Sequence, residues 1–115
     1  MAEVKPKLAV AFYRSETGVE PVRAWLRRLP KPERQTIGRE IRTLQFGWPL
    51  GMPLVRKIEH GIWELRVGLD KRAARVIFTV IDDTAVLIHG FIKKSRKIPG
   101  SDLALLRRRA RSLGR

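Results

Sequence analysis

The chain has 115 residues, 43% of them hydrophobic, which suits one domain with a real core and leaves little room for two. It contains no cysteine, which excludes disulfides and thiolate metal sites and fits a reducing cytosol. Lys and Arg number 25 against 11 acids, a net charge of +14, so phosphate backbones, anionic membranes or an acidic protein are the partners to expect.

The opening MAEVKPKLAV holds no long apolar run of the kind a signal peptide needs. No segment approaches the roughly 18 apolar residues of a membrane span, so a cytoplasmic protein without membrane association is expected. LAVAFYR (residues 8–14) reads as a first strand ended by SETG. In EPVRAWLRRLP the apolar residues Val22, Trp25, Leu26 and Leu29 fall at i, i+3, i+4 and i+7, the mark of an amphipathic helix with Pro21 in its first turn. Pro32 opens a second helix with Ile37, Ile41 and Leu44 as its stripe and Gly47 as its stop. So short a joint makes the pair a helical hairpin.

Beyond the loop GWPLGMP the period changes from 3.6 to 2. LVRKI (54–58) and IWELRV (62–67) are strands joined at Glu59-His60-Gly61, and AARVIFTVI (73–81) and AVLIHGFI (85–92) are strands joined at Asp82-Asp83-Thr84. The last two are apolar on both faces, as strands covered on both sides would be. After Pro99, with Ser101 as its expected cap, a last helix carries Leu103, Leu106, Ala110 and Leu113 on one side and Arg107, Arg108, Arg109 and Arg111 on the others. The order gives a single α+β domain over residues 1–115. In it the helical hairpin and C-terminal helix pack on a twisted, mostly antiparallel sheet of about five strands.

The cations gather where the strands end. With Asp82 and Asp83 at the turn centre, Ile81 pairs with Thr84, and an unbroken count sets Arg75 opposite Gly90. Arg66 closes the preceding strand, and Lys93, Lys94, Arg96 and Lys97 follow the last one. Arg75 interrupts an apolar strand, where an unpaired cation is costly to desolvate. It needs either Glu64 on the neighbouring strand as a partner or a place at the rim where it grips a phosphate in a two-pronged hydrogen bond. The same count turns His89 away from Arg75, as a core histidine, and leaves His60 exposed in its turn. Two distant histidines without a cysteine make no metal site, and no cofactor is expected.

The segment GIWELRVGLDKRAARVIFTVIDDTAVLIHGFIKKSRKIP resembles the core of the RelE-type toxins of bacterial toxin–antitoxin modules. Within them it is most similar to the HigB branch, also described as phage-derived Gp49-like proteins. The resemblance rests on WELR (63–66), on Arg75 opening its strand, on HGFIKK (89–94) and on Lys97-Ile98-Pro99, and it extends over about residues 19 to 110. It implies a metal-independent endoribonuclease that cuts messenger RNA on the ribosome, stopping translation and growth. It also implies a co-encoded antitoxin, of the helix-turn-helix DNA-binding kind, as partner. By the same likeness Arg66 and Arg75 hold the scissile phosphate, and Lys93 and Lys94 are the basic pair after the last strand.

Such chemistry uses the 2′-hydroxyl as nucleophile and needs a base, an acid for the leaving 5′-oxygen, and cations for the charge growing on phosphorus. Crowding should make Lys93 or Lys94 the proton shuttle. Lys57, Phe91, Arg96, Lys97, Arg107 and Arg108 are the expected RNA contacts, Phe91 by stacking on a base or else as a core aromatic. Glu64 is the base or a structural salt-bridge partner. One departure stands out: several relatives place a catalytic Tyr or His near the chain end, whereas here the only tyrosine is Tyr13 and the last helix offers arginines. A slow or strictly ribosome-dependent enzyme is therefore expected. The alternatives are a toxin of the gyrase-poisoning ParE kind and a non-toxic basic RNA-binding module.

Overall fold

A computed structural model describes residues 4–94 and 97–114. Five strands and three helices follow in the order β1 (Ala9–Phe12), α1 (Pro21–Arg28), α2 (Lys31–Gly47), β2 (Val55–Glu59), β3 (Ile62–Gly68), β4 (Ala73–Ile81), β5 (Thr84–Ile92) and α3 (Gly100–Ser112). The sheet order is β1-β5-β4-β3-β2, antiparallel throughout except for β1, which runs parallel to β5 at one edge. This is the α+β architecture expected. No helix among the described residues is long and apolar enough to cross a membrane.

Alternation along β4 explains how one sheet serves two layers. Ala74, Val76 and Phe78 face α1 and α2, joining Val22, Leu29, Ile37, Leu44 and Leu65 in the larger core. Ile77, with Val86 and Ile88 of β5, faces Leu106 and Ala110 of α3 in the smaller one. The larger core is locked by aromatic contacts: Trp48 meets Trp63 and Phe78 edge-on at 5.2 and 5.7 Å, and Trp63 stacks on Phe78 at 6.0 Å. Such pairs add about 0.5–1.5 kcal/mol each beyond their buried area.

The Asp82-Asp83 turn has the left-handed backbone that a two-residue hairpin requires, with φ of 46° and 59°, and Ile81 pairs with Thr84 as expected. Three details differ from the expectation. Ser101 lies inside α3, whose N-cap is Pro99 and has no side-chain cap. Two β-bulges also break the ladders that a straight count assumes. In β5 the extra residue is Ile88, so Arg75 pairs with Phe91 and Val76 with Gly90. In β2 it is Ile58, so the partner of Glu64 is Arg56, where an unbroken ladder from Glu59–Ile62 would have set Lys57. A bulge inserts one residue and flips the facing of everything beyond it.

Candidate functional site

Glu64 and Arg66 on β3, Arg75 on β4 and Arg56 on β2 point to the α3 face of the sheet, because Arg56 pairs with Glu64 and Arg66 with Arg75. Two arginines directly opposite one another repel. The repulsion is met by Glu64, whose carboxylate is buried. Its Oε1 accepts a hydrogen bond from Arg56 Nε at 3.2 Å and lies 3.8 Å from Arg75 Nε and 3.9 Å from Arg66 Nε. One carboxylate oxygen thus organises three guanidinium groups.

Arg75 is the most constrained of the three, at 7% exposure, and its Nη1 donates to the carbonyl of Ala74 at 2.9 Å. Burial pulls its pKa below the ordinary arginine value, Glu64 raises it, and Arg66 and Arg56 lower it further. Arginine starts so far above neutrality that the group stays cationic. Arg66 turns its Nη1 to the Met52 thioether at 3.5 Å.

Around this cluster lies a pocket of about 160 Å³, which Lys93, Lys97, Phe91, Met52 and Ile98 also line. Among its described lining residues Glu64 is the one acid, set against three arginines and two lysines, and there is no histidine or tyrosine. The net field favours an anion, and the planar guanidinium forks suit a phosphate.

Of the residues named from sequence, Arg66, Arg75, Lys93, Phe91 and Lys97 line this pocket. Lys94 does not: it lines a neighbouring groove with Trp25 and Arg72, so the adjacent lysines serve different cavities. Lys57 is a correction, because it pairs with Trp63 and therefore lies on the α1–α2 face, away from the arginines. Arg107 is held by Glu59, its Nη2 donating to Oε1 at 2.9 Å, and Arg108 lines a separate groove with Tyr13 and Arg109, so neither lines the arginine pocket. Arg96 falls outside the described residues.

His89 is also corrected. The bulge at Ile88 pairs it with Ile77, on the same face as Arg75. There its Nε2 is buried without a hydrogen-bond partner, 3.8 Å from Asp102 Oδ2, and Nδ1 lies 3.5 Å from Arg109 Nη1. Burial and Arg109 hold its pKa below the usual histidine value, against an upward pull from Asp102. It does not line the arginine pocket. Sequence reasoning missed Arg56 and Met52. A signal for Arg56 was present, an arginine on the strand paired with Glu64's strand, but the bulge that aims it was not readable.

A small α+β protein with helices on both faces of a five-stranded, mostly antiparallel sheet is consistent with a RelE-like fold. The chain belongs to the phage-derived Gp49-like protein family, whose model matches residues 24–111, and this is a toxin-type family related to RelE and HigB. No curated protein matches the chain.

Proposed function

We propose that this protein is the toxin of a toxin–antitoxin module and acts as a metal-independent endoribonuclease on messenger RNA, on the ribosome. The observation that carries the reading is the convergence of Arg56, Arg66 and Arg75 on Glu64 in a pocket also lined by Lys93. In the proposed reaction the 2′-oxygen attacks the adjacent phosphorus. Its proton leaves to solvent water, the P–O5′ bond breaks, and the products are a 2′,3′-cyclic phosphate and a free 5′-hydroxyl. Negative charge grows on the non-bridging oxygens, where guanidinium groups already fixed by Glu64 need no reorganisation. Lys93, at the rim, supplies the proton taken up by the 5′-oxygen. With no histidine or tyrosine in the described lining, the rate enhancement rests on electrostatics and on substrate alignment by the ribosome.

A cognate antitoxin would lay an acidic segment over the same cations. Primer extension on translated and untranslated message tests the whole reading. Wild type should cut the translated message, Arg75→Ala should cut about 10²–10³-fold less, and the antitoxin complex should not cut. Growth arrest with intact messages and inhibited topoisomerase would replace this reading with the ParE-like one. Tight, salt-sensitive RNA binding without a growth defect would leave only an RNA-binding module.

A further inference from the structure

The arginine pocket, at about 160 Å³, is small for a nucleotide: sites that enclose a small organic ligand run to roughly 300–1,000 Å³. It has room for a phosphate, so the sugar and base on either side must lie elsewhere. Beside it is the groove of about 510 Å³ that Lys94 lines. Phe91 and Lys97 line both cavities, which makes the two contiguous around the end of β5.

We propose that this groove, lined by Trp25, Arg72, Lys94 and Lys97, is a second subsite that binds the nucleotide flanking the scissile phosphate of single-stranded RNA. The proposal rests on the ribonuclease reading above and extends it to a groove whose Trp25 and Arg72 the resemblance does not assign. Three features of the groove support it. Trp25 lies over bare backbone: a Cβ on Gly90 would stand 2.4 Å from the indole ring, so the ring fits there only because residue 90 is glycine. That puts an aromatic ring in the groove wall, and ring-on-base contact is the sequence-tolerant way to hold an unpaired nucleotide. Arg72 donates to Glu33 through two bonds at 2.6 and 2.9 Å, which set its guanidinium on the groove wall. Lys94 is exposed at the strand end, where it can meet the next phosphate along the chain.

The test uses uncleavable 2′-O-methyl oligonucleotides and the full-length protein, with binding read by fluorescence anisotropy. A dinucleotide has one internucleotide phosphate, which the arginine pocket takes, and no further phosphate for Lys94; a tetranucleotide carries the next phosphate along the groove. Wild type should bind the tetranucleotide about 3- to 10-fold more tightly than the dinucleotide, the contact of Lys94 with the next phosphate being added. Lys94→Ala, an exposed change that leaves the core intact, should cost about 3- to 10-fold on the tetranucleotide and lower its log–log salt slope by about 0.7. It should leave dinucleotide binding unchanged, whereas Arg75→Ala should weaken both. Equal effects of Lys94→Ala on both lengths, or none on either, would overturn the subsite while leaving the arginine pocket standing. Failure of wild type to bind either length would overturn the subsite, and cleavage of translated message in primer extension would then keep the ribonuclease reading alone. Binding as described without cleavage in primer extension would remove the nuclease assignment alone and keep the subsite.

Discussion

The two faces of the sheet are built from the same strands and do opposite things. The face under α1 and α2 is apolar, with three aromatic rings interlocked and no buried charge among the described residues. The face under α3 is divided: Ile77, Val86 and Ile88 meet the helix, while Glu64 and Arg75, both buried, sit with Arg56 and Arg66 toward the other end of the strands. Burying ions costs several kcal/mol each unless they are paired, so the charged half depends on the Glu64 pairing that the apolar face does not need.

Glu64→Gln should break the charged half most severely. It strips the one carboxylate from three guanidinium groups, and losing a partner of a buried pair costs roughly 3–5 kcal/mol. Chemical denaturation should show the drop, near the lower bound because Arg56 is half exposed to water. Stability within about 0.5 kcal/mol of wild type would mean that the arginines are already solvated without Glu64.

Gly90→Ala attacks the seam where α1 touches the sheet. The new methyl would meet the Trp25 ring at 2.4 Å, and overpacking of this kind costs about 1–3 kcal/mol. Loss of melting temperature, recovered in part by adding Trp25→Leu, is the expected result.

His89 gives the smallest effect, on the boundary between apolar and charged regions. Its folded pKa lies below the free value of 6.5, so below that pH the unfolded chain takes up a proton that the folded chain refuses. Stability should therefore rise with pH from the folded pKa up to about 6.5 and be flat in this contribution above it. Denaturation from pH 5 to 8 should show the slope, and His89→Gln should flatten it. A slope unchanged in His89→Gln would assign it to other groups.

Much of the site was legible residue by residue. Arg66 closes the strand that precedes Arg75's, as the sequence indicates, and the two residues pair directly. Glu64 was named as the internal partner of Arg75, and the two lie 3.8 Å apart. What went astray did so at the bulges. The straight count gave Arg75 to Gly90 and turned His89 the wrong way because one unpaired residue, Ile88, changes the facing of those beyond it, and Arg56 went unnamed because the bulge at Ile58 sets which β2 residue faces Glu64. The separation of Lys93 from Lys94 follows from the same alternation, which sends neighbours at a strand end to opposite sides.

The sequence alone determined the elements, their order, the tight Asp82-Asp83 turn and the positive charge. Those follow from local periodicity, backbone preference and composition, which act over a few residues. Only the tertiary structure decided that β1 docks parallel to β5, that Trp25 occupies the space above Gly90, and which cations share one carboxylate. Each of those depends on register and packing between segments far apart in the chain, where a shift of one residue reverses a face at little local cost.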